Sequence, residues 1–192
     1  MATVNPTRAT ADDLMRTDGK AELIGGRVVQ YMATGMRPSE VASNIHFDLR
    51  NHARKRGHKA FGDNLGYLVP ELASGRESFS PDTSYYDGPL PQNVMRFIEG
   101  PPTLAVEVRS ENDYGPAAEL EMAAKRADYF AAGTKVVWDV DPVAELVHVY
   151  RSSDPTRPVT YRRGQMAEAE PAVPGWRVPV DDVFWLAPGG GT

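Results

Sequence analysis

Thr103-Leu104-Ala105-Val106-Glu107-Val108-Arg109-Ser110 is an apolar strand pattern with one carboxylate set among valines. In an extended chain Leu104, Val106 and Val108 share one face, and Ala105, Glu107 and Arg109 the other. Pro116 to Ala132 then reads as a helix, with proline near its start and Gly133 just past its end. Lys135 to Val140 is a nearly continuous apolar run, the pattern of a central strand covered on both faces. Strand, helix and strand in this order predict a right-handed crossover with parallel strands. The unit points to an α/β or α+β chain built around one mixed sheet.

Working outward, Ser78 to Tyr85 reads as a neighbouring strand, with Asp82 directly after Pro81. Lys59–Phe61 and Gly66–Val69 are short strands upstream of it, and Asp87 to Pro102, rich in Pro and Gly, reads as an exposed loop. Val41, Ile45, Leu49 and Ala53 recur every four residues, one apolar face of a helix that Ser39 would cap and Gly57 would stop. Glu22-Leu23-Ile24 and Arg27 to Tyr31 flank Gly25-Gly26, a hairpin signal. Thr10-Ala11-Asp12-Asp13 has the form of a capping box opening a short helix that Gly19 ends. Downstream, Leu146–Tyr150 and Val159–Arg162 read as strands, the second at an edge, before a last short segment from Val180 to Leu186. There is no internal repeat and no linker, so 1–192 is read as one domain with a core over about 10–186 and flexible ends at 1–9 and 187–192.

Composition narrows the chemistry. With 192 residues, 41% hydrophobic and 24% charged, the chain has the make-up of a globular domain. It has no cysteine, which excludes disulfides, thiolate metal sites and Cys nucleophiles. No run is long and apolar enough for a bilayer, and Met1 to Arg8 carries no signal-peptide core, so a cytoplasmic protein with no membrane partner is expected. A net charge of −5 argues against general DNA coating, yet leaves room for a local basic patch beside an acidic metal site. The four histidines lack zinc-site spacing, and neither a Walker loop nor a nucleophile elbow is present.

A carboxylate inside an apolar strand is costly to desolvate unless a cation or hydrogen-bond donors meet it. Asp82 and Glu107 on neighbouring strands would form a hard-oxygen pocket for Mg²⁺ or Mn²⁺. Alternatively, Asp82 caps a turn and Glu107 pairs with Arg109 or another base. Lys125 and Tyr129, four apart, are neighbours on their helix, where Lys125 could equally pair with Glu121. Arg50, Arg54, Lys55 and Arg56 form the densest positive run, suited either to the helix dipole or to phosphate.

Glu22-Leu23-Ile24-Gly25-Gly26, Pro81-Asp82, Val106-Glu107-Val108 with Ser110, Lys125 with Tyr129, Trp138 to Pro142, Pro174-Gly175-Trp176 and Val180 to Phe184 together resemble the Uma2 family of restriction-endonuclease-like proteins. The resemblance spans roughly Thr10 to Leu186. It implies the PD-(D/E)XK nuclease fold, a mixed sheet flanked by helices with an N-terminal β-hairpin, in a homodimer acting on DNA. It further implies Asp82 and Glu107 as Mg²⁺ (or Mn²⁺) ligands, with the Val108 carbonyl as a further ligand and Glu22 as an upstream acid completing the site. The third motif position is Arg109 rather than lysine; arginine stays protonated and could only clamp phosphate. The resemblance gives the lysine role to Lys125 on the following helix, with Arg109 as competitor. This chain departs from the family in having Pro38 or Ser39 where a histidine is common, and Ser110 to Tyr114 where Ser-Pro-Ser is common.

Three functions are therefore carried forward. One is a divalent-metal-dependent endonuclease using Asp82, Glu107 and Lys125. The second is a DNA-binding module of the same fold, contacting phosphates through Arg50, Arg54, Lys55 and Arg56. The third is a dimerisation domain whose carboxylates serve only structure.

Overall fold

The structure is a computed structural model and describes residues 8–186. The expected flexible tail, 187–192, and residues 1–7 of the expected leader lie outside the described residues. Of that leader, Arg8 ion-pairs with Glu71 and Glu77, and the Ala9 N–H donates to the Gly26 carbonyl at 2.8 Å.

The chain opens with α1 (Ala11–Met15), capped as expected: Thr10 accepts from the Asp13 N–H while the Asp13 carboxylate accepts from the Thr10 N–H. The helix stops at Met15, well before Gly19. β1 (Ala21–Ile24) and β2 (Arg27–Gln30) form the hairpin, with Gly25 at φ 58° and Gly26 at φ 69°. Two successive left-handed residues are what a twisted two-residue turn needs, and glycine supplies them without a Cβ clash. α2 (Met36–Lys55), β3 (Lys59–Phe61), β4 (Tyr67–Leu68), β5 (Ser78–Phe79) and β6 (Thr83–Tyr86) follow. Then come β7 (Ile98–Glu99), β8 (Leu104–Val108), α3 (Pro116–Ala132), β9 (Val136–Asp141), β10 (Leu146–Arg151) and β11 (Asp154–Arg162). β12 (Met166–Glu168), β13 (Arg177–Pro179) and α4 (Val180–Val183) close the chain.

A six-stranded mixed sheet, ordered β11-β10-β9-β8-β6-β3, is the centre of the molecule. Only β8 and β9 run parallel in it, joined by α3, and the other pairs are antiparallel. The strand alternation sorts the core into two layers. Leu104, Val106, Val136 and Trp138 pack with the Val41-Ile45-Leu49-Ala53 face of α2. Ala105 and Val137, on the opposite face, pack with Tyr129 of α3 and Phe79, whose rings stack at 4.1 Å. The β11 edge position and the bounds of α3 agree with the sequence reading.

Three further expectations are corrected. α2 begins at Met36 with Gly35 as N-cap, not at Ser39; Pro38 sits in the first turn, where a missing N–H removes no intrahelical bond. Ser78 to Tyr85 is two strands, because Pro81 lacks a ladder donor and the chain bends there. β5 pairs with β4 in a three-stranded side sheet, and β6 joins the main one. The loop from 87 to 102 contains β7, which pairs parallel with β4 and buries Ile98. Finally, β12 pairs with β13, an element for which the sequence carried no visible signal.

Candidate active site

The break at Pro81 is what assembles the site. The hairpin docks beside it: the Gly25 N–H donates to the Gly75 carbonyl at 2.7 Å, and the Glu77 N–H to the Leu23 carbonyl at 2.8 Å. This brings Glu22 of β1 under the chain at Ser78 to Asp82. Glu22 is fully buried, and every acceptor position is used. Its Oε1 accepts from the Ser80 N–H at 3.0 Å and faces Lys125 Nζ at 3.2 Å; its Oε2 accepts from Tyr31 Oη at 2.9 Å and from Arg76. Burial pushes its pKa up, but Lys125 and Arg76, with the Ser80 and Tyr31 hydrogen bonds, outweigh that and hold it at about 2. Burial beside this carboxylate pushes the Tyr31 hydroxyl up to about 12, so it remains a donor.

Glu107 sits on β8, across from α3. Lys125 Nζ lies 2.9 Å from its Oε1, and Tyr129 Oη donates to the same oxygen at 2.6 Å. The i, i+4 spacing of Lys125 and Tyr129 thus delivers both to one carboxylate oxygen. Oε2 takes no hydrogen bond among the described residues. Burial raises the Glu107 pKa; Lys125 opposes this, while Asp82 adds to it as a like charge. Lys125 does not pair with Glu121. Burial alone would depress the Lys125 ammonium, but Glu107 and Glu22 raise its pKa, so it stays protonated.

Asp82 approaches from the other side. Its Oδ2 accepts from the Val108 N–H at 2.7 Å, which ties the aspartate to the residue next to Glu107. Its Oδ1 meets Lys20 Nζ at 2.5 Å, and Lys20 also pairs with Asp63 at 2.9 Å. Lys20 was missed in the sequence. It lies two residues before Glu22, and a period of two puts both on one side of the first hairpin arm, the one signal available. Its partner is 62 residues away.

Among the described residues, no three His, Cys, Asp and Glu groups could hold a metal ion as they stand. The reason is visible in the ion pairs: Lys20 sits on Asp82, and Lys125 sits between Glu22 and Glu107. The donor chemistry nevertheless suits a hard divalent ion. Asp82 and Glu107 are about one-fifth exposed, and Glu107 has one oxygen free of hydrogen bonds.

An open cavity of about 470 Å³ lies against Asp82. Asp63, Thr83 and Val108 form its inner side, and His46, Phe47 and Arg50 of α2 border it. Of the basic run on α2, Arg50 lines this cavity, whereas Arg54 and Lys55 are exposed beyond it. Phe47 is 71% exposed there. Arg109 is not brought to the carboxylate cluster. Its guanidinium is bidentate to buried Asp139, at 2.8 and 2.9 Å, and also engages Glu119. The expectation that it shares a side of β8 with Glu107 agrees with its reach toward α3, but both its edges are occupied by carboxylates.

A buried acid on a hairpin, an aspartate after a proline bend, a glutamate on the next strand and a lysine on the following helix thus come together on a mixed α+β sheet. The fold has a solved counterpart: the chain superposes with TM-score 0.71 on a "putative nuclease belonging to DUF820" from Anabaena variabilis ATCC 29413. The two are 19% identical, over 91% of this chain and 97% of the other. The Uma2 family model, described as "putative restriction endonuclease", matches residues 9–181, and the chain belongs to that family. No curated protein matches it. No helix of the described residues is long and apolar enough to cross a membrane.

Proposed function

We propose that the chain is a divalent-metal-dependent endonuclease that hydrolyses DNA phosphodiester bonds. The observation that carries this reading is the convergence of Glu22, Asp82 and Glu107, from three separate segments, with Lys125, where Asp82 opens onto a cavity that also carries Arg50. Asp82 and Glu107 would hold Mg²⁺ or Mn²⁺, with the Val108 carbonyl as a further candidate. The chemistry such an ion supplies is polarisation of the phosphate and activation of a water.

The protein's own groups do the rest. Glu22, ionised and saturated, anchors Lys125 through its Oε1. Lys125, held protonated, orients the attacking water and stabilises the charge that develops on the phosphate; it does not remove a proton. Tyr129 fixes Glu107 through Oε1 and leaves Oε2 free to act as a ligand. Arg50 receives the phosphate backbone at the cavity mouth. Membership in the Uma2 family and the fold of the Anabaena protein support a nuclease acting on nucleic acid.

The test is cleavage of plasmid and linear duplex in Mg²⁺ and Mn²⁺, beside Asp82→Asn and Glu107→Gln. Metal-dependent cutting lost in both variants, with folding intact, is expected. Cutting at the wild-type rate by the variants would sink the site assignment. Absence of cutting by folded wild-type protein would favour DNA binding without catalysis.

A further inference from the structure

The cluster contains a second lysine that the proposed reaction has not used. Lys20 is 17% exposed and bonds two carboxylates, Asp82 at 2.5 Å and Asp63 at 2.9 Å. Its backbone is fixed by the Tyr31 N–H, which donates to the Lys20 carbonyl at 2.9 Å, so movement is left to its side chain. The two carboxylates differ. Asp82 is held in place by Val108 and stands next to Glu107. Asp63 is half exposed and, among the described residues, otherwise accepts from the neighbouring Asn64 N–H alone. Both line the cavity against which substrate would lie.

The other cations nearby are committed. Lys125 is shared by Glu22 and Glu107, Arg76 by Glu22 and Asp128, and Arg109 by Asp139 and Glu119. Lys20 alone pairs with a candidate metal ligand on one side and a cavity-lining, solvent-facing carboxylate on the other. A divalent ion that takes Asp82 removes one of its two partners and leaves the second.

We propose that Lys20 is an exchangeable cation: it neutralises Asp82 until a divalent ion takes that carboxylate, then pivots on Asp63 to contact the DNA phosphate at the cavity. This rests on the metal-dependent reading above. It makes two demands. Lys20 competes with the metal, so removing it tightens metal binding. Lys20 reaches phosphate only when metal is bound, so it adds to DNA affinity only then.

The experiment compares wild type, Lys20→Met and Lys20→Arg. Mn²⁺ affinity is read by calorimetry without DNA. Binding of a fluorescein-labelled duplex is read against salt, in EDTA and in Ca²⁺, a hard dication of the same charge. Lys20→Met is expected to bind Mn²⁺ roughly fivefold tighter, because a closed ion pair no longer lowers the fraction of sites open to metal. In Ca²⁺ its salt slope falls by about 0.9, the loss of one phosphate contact, while in EDTA it matches wild type. Lys20→Arg keeps the charge and stays near wild type in both.

Mn²⁺ affinity unchanged or weakened in Lys20→Met overturns the exchange, as does an equal change of slope with and without metal. A wild-type protein that takes up no Mn²⁺ refutes the metal reading itself, a result distinct from either of those.

Discussion

Lys125→Met tests whether the buried charges are organised as described. The ammonium lies 3.2 Å from Glu22 and 2.9 Å from Glu107, and removing it leaves two carboxylates facing a methyl group. Breaking a fully buried pair by deleting one partner costs about 3–5 kcal/mol. Two features reduce that here. Glu22 keeps Arg76, Tyr31 and the Ser80 N–H, while Glu107 retains about one-fifth exposure and can take up a proton. A cost of about 2–3 kcal/mol at pH 8 is expected, which lowers Tm by roughly 4–12 °C in a chain of this size. A second scale agrees: lowering Glu22 from 4.5 to about 2 corresponds to about 3 kcal/mol, of which Lys125 is the largest favourable source. The pH dependence has a definite sign. Glu22, lowered in the fold, stabilises above pH 4.5 and loses that as pH falls toward 2, and the variant has less of it to lose. Glu107, raised in the fold, destabilises as pH rises through its folded value, and loss of Lys125 raises it further. Both make the gap between variant and wild type largest at high pH and smaller toward pH 4. Thermal unfolding of the two proteins in EDTA across pH 4–8 measures it. A gap below about 0.5 kcal/mol at pH 8, the size of an ordinary surface substitution, would refute the reasoning, and so would a gap that widens on acidification.

Arg109→Met is expected to destabilise the fold by about 2 kcal/mol, because buried Asp139 loses its bidentate partner and keeps only Arg126, at 2.9 Å, while leaving Mn²⁺ affinity within about twofold. Chemical denaturation and calorimetry separate the two effects; a large loss of metal binding at intact stability would return Arg109 to the site. Arg50→Ala is expected to weaken duplex binding and reduce the salt slope by about 0.9, whereas Arg54→Ala, outside the cavity, leaves the slope unchanged. Equal slopes for both variants would disconnect the cavity from DNA.

The sheet was largely legible because its signals are local. The parallel pair β8–β9 follows from two apolar runs and a helix bounded by Pro116 and Gly133, and the hairpin from Gly25-Gly26. β12 carries no such signal: Met166-Ala167-Glu168 buries only Ala167 and exists because β13 pairs with it. In the site, Glu107 and Asp82 stand out as charges in apolar surroundings. Their partners do not. Lys20 reaches Asp82 across 62 residues, Arg76 reaches Glu22 across 54, and Arg109 finds Asp139 across 30. Such pairings depend on how the hairpin docks and on the β8–β9 register, where Glu107 stands beside Asp139. Arginine at the third motif position reads as a phosphate clamp in sequence, but in the fold Asp139 and Glu119 occupy its guanidinium.

The ion pairs fall into two groups, and their balance bears on what the site can accept. Lys20 with Asp63 and Asp82 carries one cation against two carboxylates. Lys125 and Arg76 with Glu22, Glu107 and Asp128 carry two cations against three carboxylates. Each group is left with one negative charge, and each contains one of the two candidate ligands. The Val108 N–H donates to Asp82 and holds it beside β8, so the two unbalanced groups meet where Asp82 adds to the raised pKa of Glu107. Two like charges held together at partial burial are unfavourable unless one is protonated or a cation intervenes. A dication held by Asp82 and Glu107 would supply the two positive charges that the two groups together lack. A monovalent cation would satisfy only one group. On the proposed reading the charge balance favours a doubly charged ion, and Lys20 is its competitor for Asp82.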